Sequence, residues 1–108
     1  MKLLAPIGFP ESPSTATLRC WSVLEVVDDD GSLVRLVVGW VNVSKLRITS
    51  AVEQVEGGQV LTRSGSIYTL EGPPATPEEL QEQKTRRDAL LGGRSAIDVT
   101  ARYRNALR

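Results

Sequence analysis

Leu18-Arg19-Cys20-Trp21-Ser22-Val23-Leu24-Glu25-Val26-Val27-Asp28-Asp29-Asp30-Gly31-Ser32-Leu33-Val34-Arg35-Leu36-Val37-Val38-Gly39-Trp40-Val41 is the stretch from which the fold is read. Its β-branched and large apolar residues predict strands over 18–27 and 33–41, with an acidic tip between them. Asp30-Gly31 is a strong two-residue hairpin signal, because a type I′ turn needs positive φ at both central positions. That turn places Trp21 opposite Trp40, Val23 opposite Val38 and Val27 opposite Val34. Both tryptophans then share one face, while Cys20, Leu24, Val26, Leu33, Val37 and Val41 share the other. A three-residue loop shifts the register by one and sets Gly39 opposite Trp21; the two-residue turn is the preferred reading. Either way both faces are largely apolar and both need cover, which calls for a barrel, a sandwich or a sheet with further chain laid over it.

Working outward, shorter strands are expected over 45–49, 52–56, 59–63 and 66–70, with turns at Gly57-Gly58 and Ser64-Gly65. Turns this closely spaced predict an antiparallel meander, since parallel neighbours require crossover connections. The fold class expected is therefore mainly β: a small antiparallel meander or partly open SH3-like or OB-like barrel of five to six strands, followed by a C-terminal helical segment. Gly72-Pro73-Pro74 ends the last strand of the meander, because proline donates nothing to a ladder. Thr76-Pro77-Glu78-Glu79 then reads as a capped helix start, and Gly92-Gly93 as its left-handed end, giving a helix from about residue 77 to 91. Leu80, Lys84, Arg87 and Leu91 make only a thin apolar stripe on it. Beyond it, Ser95-Ala96-Ile97-Asp98 opens either a second short helix or a final strand through Ile97 to Tyr103. The organisation expected is an N-terminal arm over 1–17, rich in Pro, Ser and Thr, a β-domain over 18–72 and a helical segment over 73–108. Most of the core lies before Leu70, so removal of residues 93–108 is expected to leave the β-domain folded.

Formal charge is balanced, yet residues 1–83 hold six Lys/Arg against eleven Asp/Glu and residues 84–108 hold seven against two. The β-region is thus acidic and the tail basic, an arrangement that suits a homodimer or an internal pairing of the two regions. The chain has no histidine and one cysteine. Histidine-based acid, base and nucleophile chemistry is excluded with it, and the zinc sites built from Cys and His are excluded as well. Cys20, inside an apolar strand, reads as a buried structural thiol. Asp28-Asp29-Asp30-Gly31 lacks the alternating ligands and terminal glutamate of a calcium loop and reads as a solvated hairpin tip. Arg63-Ser64-Gly65-Ser66 is the most compact polar group; without a strand-to-helix context it reads as a tight turn, not a nucleophile elbow. No catalytic residue, metal ligand or cofactor is assigned, and no enzyme activity is expected.

A lone unpaired cysteine fits a reducing compartment, so the cytoplasm is the expected location. The apolar start of the chain is interrupted by Pro6 and Pro10 and does not read as a signal peptide, and no run is long enough to span a membrane.

Two stretches carry a resemblance: Lys45-Leu46-Arg47-Ile48-Thr49-Ser50-Ala51-Val52, and Val60-Leu61-Thr62-Arg63-Ser64-Gly65-Ser66-Ile67-Tyr68-Thr69-Leu70-Glu71-Gly72-Pro73. They resemble small uncharacterised proteins of proteobacterial phages and mobile elements. The resemblance implies a phage or mobile-element accessory protein that acts by binding, and it brings no site residues with it. From the residues themselves the leading expectation is a non-catalytic binding or adaptor module with a protein partner, contacted through Arg86, Arg87, Arg94, Arg102, Tyr103 and Arg104 of the tail. The alternative is nucleic-acid binding through the basic tail, with Lys45, Arg47, Arg63 and Tyr68 of the β-region along the backbone path.

Overall fold

A computed structural model of the chain describes residues 16–103. Nine elements follow in order: β1 (Ala16–Val27), β2 (Leu33–Trp40), β3 (Leu46–Ile48), β4 (Val52–Glu56), β5 (Gln59–Thr62), β6 (Ile67–Glu71), α1 (Pro77–Leu91), β7 (Ala96–Asp98) and α2 (Thr100–Tyr103). The fold is mainly β, and the strands form one mixed sheet in the order β3-β2-β1-β6-β5-β4. β1 is long enough to serve two neighbours along the same side. Its first part pairs with β6, from Ala16 opposite Tyr68 to Arg19 opposite Glu71. Its last part pairs with β7, from Leu24 opposite Asp98 to Val26 opposite Ala96.

The β1–β6 pair is parallel, which departs from the all-antiparallel expectation. The crossover that a parallel pair requires is supplied by β2 to β5 themselves, so no separate connecting helix is needed. The sheet curls but does not close. Its corner is residues 49–51: Thr49 N–H donates to Val37 O at 2.9 Å, and Thr49 Oγ1 accepts from Val37 N–H at 3.0 Å. On the other side Arg63 N–H donates to Ala51 O at 2.7 Å.

The β1–β2 register corrects the preferred reading of the hairpin. Asp28 N–H donates to Ser32 O at 2.8 Å and Gly31 N–H to Asp28 O at 2.9 Å, with Gly31 at φ 86°. Asp29-Asp30-Gly31 is therefore a three-residue loop whose left-handed glycine closes it, and Val23 faces Val37 while Val27 faces Leu33. The acidic tip favours this loop, because Asp30 Oδ1 accepts from both Ser32 N–H and Ser32 Oγ and so stabilises the longer turn. Asp30 is held below the ordinary carboxylate range mainly by the Ser32 hydroxyl. The loop over 63–65 uses the same device, with Gly65 at φ 89° and Thr62 N–H bonded to Ser66 O at 3.0 Å.

A second shift lies between Arg19 and Ser22, where Arg19 faces Trp40 but Ser22 faces Val38. Cys20 and Trp21 thus share the place opposite Gly39, a bulge made by Cys20 at φ 49°. The bulge changes which residues share a face. Leu18 and Trp21, three apart, join one cluster with Val23, Val37, Val60, Tyr68, Leu70 and Val99. Leu24, Val26, Leu36, Val38, Leu46 and Leu91 form the second cluster, with half-buried Trp40 and Ile48 against it. The two tryptophans sit in different clusters, contrary to the expectation, because the three-residue loop pairs Val23 with Val37 and so sets Trp21 and Trp40 on opposite faces; the demand that both faces be covered is met. Gly39 is required by the close approach here, since a Cβ on it would lie 2.9 Å from Leu18 Cβ and 3.1 Å from Arg19 O.

α1 follows its sequence signals closely. Thr76 caps it, Glu79 completes a capping box, and Gly92 closes it in the left-handed region. Its packing stripe is Leu80, Gln83, Arg87 and Leu91, so Gln83 and not Lys84 takes the inward position, and Lys84 is exposed. Gln83 is fully buried and donates through Nε2 to Cys20 O at 2.9 Å, fastening the helix to the bulge.

After α1 the chain returns to β1 as β7 and then turns into α2, so each of the two readings of this segment holds for part of it. Val99 is buried in the first cluster and its N–H donates to Val23 O at 2.9 Å, while Thr100 Oγ1 accepts from Val23 N–H at 2.9 Å. The segment is part of the core, which argues against the expectation that the chain beyond residue 93 is dispensable for folding. Most of the expected N-terminal arm lies outside the described residues; Ala16 and Thr17, placed in it by the sequence reading, belong to β1. No helix among the described residues is long and apolar enough to cross a membrane.

Candidate functional site

The tail basic residues, expected to face a partner, are mostly engaged within the chain. Arg86 donates to Ser44 O, and its guanidinium lies over the Trp40 ring, 5.5 Å from the centroid. Lys84 pairs with Asp88 at 2.7 Å, and Arg87 lies 3.5 Å from the same carboxylate with its Nε buried. Arg102 is 3.7 Å from Glu25, which also receives Arg35 at 3.7 Å; Arg35 in turn lies over the Tyr103 ring at 5.6 Å. Arg104 lies outside the described residues. Each of these ion pairs has at least one largely exposed partner, so screening keeps its contribution to about 0–1 kcal/mol, and the pairs orient the side chains more than they stabilise the fold.

The residues of the nucleic-acid alternative do not come together as a stacking groove. Tyr68 is buried in the first cluster and offers no ring face to a base. Lys45 is exposed in the loop before β3, Arg47 is half-buried opposite Gly39, and Arg63 lies 3.5 Å from Asp28.

Arg63 and Arg94 do converge, on a groove of about 420 Å³ whose lining also includes Asp28, Val34, Leu36, Ile48 and Leu90. Three features of the sequence build it. The three-residue hairpin loop brings Asp28 to one end, the corner at Thr49 and Ser50 forms a side, and the left-handed end of α1 turns Arg94 back so that its Nε donates to Leu91 O at 2.8 Å. The hydroxyls around the corner are linked: Ser50 Oγ lies 3.1 Å from Ser64 Oγ, which lies 3.1 Å from Thr62 Oγ1. The Arg63-Ser64-Gly65-Ser66 turn, the most compact polar group of the sequence, thus stands beside this groove. The result is an aliphatic surface with two guanidinium groups and one carboxylate, suited to holding an anion attached to an apolar body. Sequence reasoning placed Arg63 and Arg94 in different functional schemes; no spacing signal joins residues this far apart.

Cys20 lines a smaller cavity of about 290 Å³ with Arg19, Trp40, Asn42, Val43 and Glu82. It is only partly buried, not enclosed in the core as the sequence suggested, because the bulge turns it out of both apolar clusters. Its pKa is nevertheless pushed up to about 11, first by burial and then by the hydrogen bond from Sγ to Glu79 Oε2 at 3.1 Å. A thiol held neutral in this way is a poor nucleophile. At pH 8 an aromatic disulfide reagent is expected to modify native Cys20 at least about tenfold more slowly than the unfolded chain, and Glu79→Gln should speed the native reaction. Equal rates for native and unfolded protein would refute this. Linkage gives the sign of the stability effect: the unfolded thiol ionises first, so stability falls as the pH rises from 9 toward 11. Glu79 is shifted the other way, lowered chiefly by the Thr76 backbone N–H and then by the Cys20 thiol. Its contribution is present above the ordinary carboxylate range and is lost as the pH falls through the lowered folded value.

Among the described residues no three His, Cys, Asp or Glu side chains gather as metal ligands would. No family model, curated protein or solved structure matches the chain.

Proposed function

We propose that the protein is a non-catalytic binding module that acts through protein–protein contacts. The observation that carries this reading is the groove between β2, β3 and the end of α1, where Leu90 remains 48% exposed beside an aliphatic floor flanked by Arg63 and Arg94. Arginine is enriched at contact surfaces, where buried apolar area supplies affinity and guanidinium groups supply orientation, and an exposed leucine flanked by two arginines offers both. The internal pairing of the tail's charged groups weighs against the nucleic-acid alternative, because a polyanion would have to displace Glu25 and Asp88 from the arginines it needs. In this reading the protein works in the cytoplasm, where its one cysteine stays reduced, as an accessory protein of a phage or mobile element.

The test is affinity capture from extracts of the host with the full chain as bait, beside Leu90→Glu, which alters an exposed position. A stoichiometric protein partner, reduced at least about tenfold by Leu90→Glu, is the expected result, as truncation of a contact residue at an interface centre implies. Light scattering identifies the case in which that partner is a second copy. Submicromolar, steeply salt-dependent binding of duplex or single-stranded nucleic acid by the purified chain would overturn the reading.

A further inference from the structure

We propose that the groove recognises a short acidic–aliphatic segment of the partner, the segment's carboxylate held between Arg63 and Arg94 and its neighbouring aliphatic side chain laid on Val34, Leu36, Ile48 and Leu90; this rests on the binding-module reading.

The first argument is charge. Two guanidinium groups face one carboxylate, that of Asp28, so the lining has one positive charge in excess. Asp28 engages Arg63 through a single 3.5 Å contact, far from the bidentate geometry that a guanidinium prefers, and the Arg63 side chain remains 57% exposed. Arg94 is turned toward the groove by its Nε bond to Leu91 O, and no acceptor among the described residues engages its Nη atoms. An incoming carboxylate therefore finds one guanidinium open and a second that is only loosely held.

The second argument selects the kind of anion. Asp28 already shows Arg63 receiving a carboxylate, and its own negative charge disfavours a phosphate dianion more than a carboxylate monoanion. The aliphatic floor then requires an apolar group close to the acid, and a peptide with Glu or Asp next to Leu, Ile or Val supplies both. Ser50 Oγ, a lining hydroxyl, is positioned to bond the segment's backbone. Asp28 acts as an internal competitor, occupying Arg63 until the partner's acid replaces it.

The experiment is fluorescence anisotropy on the full chain with fluorescein-labelled, end-blocked hexapeptide pools. One pool mixes Glu and Asp with Leu, Ile and Val; a second replaces the acids by Gln and Asn; a third keeps the acids but replaces the aliphatic residues by Gly and Ser; a fourth carries phosphoserine in place of the acids. The acidic–aliphatic pool is expected to bind at least about tenfold more tightly than the amide and Gly/Ser pools, the factor that loss of one charge-assisted hydrogen bond implies. The Arg63→Gln, Arg94→Gln double variant should lose the same factor, and Asp28→Asn should gain affinity by about threefold through release of Arg63. Thermal melting of each variant confirms that it is folded. Equal binding of acidic and amide pools, undiminished binding by the double variant, tighter binding of the phosphoserine pool, or no binding of any pool at 1 mM peptide overturns the proposal. If the acidic pool fails while Leu90→Glu still abolishes partner capture, only the ligand chemistry falls; if Leu90→Glu captures as much as the native chain, the binding-module reading itself falls.

Discussion

A chain ending at Ser95 is expected to lose its cooperative unfolding transition. The cut removes β7, Val99 and Thr100, all of which lie against the last part of β1. Val23 is buried, and its N–H and C=O are bonded to Thr100 Oγ1 and to Val99 N–H; losing each bond costs about 0.5–1.5 kcal/mol net, since water reaches the uncovered groups. Loss of the Val99 side chain from the first cluster costs about 1.5–3 kcal/mol more. The ladder of β7 with Leu24 and Val26 goes too, leaving that stretch of β1 unpaired on one side. These losses are comparable with the whole net stability of a small domain, about 5–15 kcal/mol. A chain ending at Tyr103 keeps every one of these contacts and should melt close to the full-length protein. Thermal denaturation followed by circular dichroism distinguishes the two, and a cooperative transition for the Ser95 chain within a few degrees of the native one would refute the expectation.

The local elements were legible because their signals are local. Thr76-Pro77-Glu78-Glu79 and Gly92 delimit α1 through caps that involve only neighbouring residues, and Gly57-Gly58, Gly65 and Gly72 end strands where they were expected to. The strand over 52–56 was read to the residue. What was not legible depends on residues far apart. The bulge at Cys20 has no sequence signature of its own, and it arises where Gly39 lets β1 approach β2 too closely for any Cβ. The three-residue hairpin loop, not the bulge, puts Trp40 on the face opposite to that of Trp21, while the bulge sets the role of Gln83, whose amide meets the carbonyl it exposes. The parallel pairing of β1 with β6 is equally non-local, since it joins residues 16–19 to 68–71. Of the groove, the sequence identified Arg63 and Arg94 as separate basic residues. Their convergence follows from the curl of the sheet and the turn after α1, neither of which leaves a periodic trace.

The two tryptophans are expected to differ sharply in what they contribute. Trp21 is 3% exposed within the first cluster, and its Nε1 donates to Gly72 O at 3.1 Å. Trp21→Ala empties a large volume that backbone on both sides of the strand keeps open, because Ala75 N–H is bonded to Trp21 O and Gly39 abuts the bulge. The cost should be about 3–5 kcal/mol, the range for deletion of a buried aromatic side chain. Trp40 is half-buried under Arg86 at the margin of the second cluster, so Trp40→Ala removes part of an exposed face and one cation–π contact and should cost less than about 2 kcal/mol. Trp21→Phe separates packing from hydrogen bonding. Gly72 is exposed, so water replaces the lost donor, and that variant should keep more than half of what Trp21→Ala loses. Urea denaturation followed by far-ultraviolet circular dichroism measures all three, and Trp40→Phe leaves Trp21 as the sole tryptophan for emission. Its spectrum should be blue-shifted in the native state and move to the water-exposed maximum on unfolding. In the two-residue-turn register both indoles would share one core face and their alanine variants would cost the same; equal costs would restore that register.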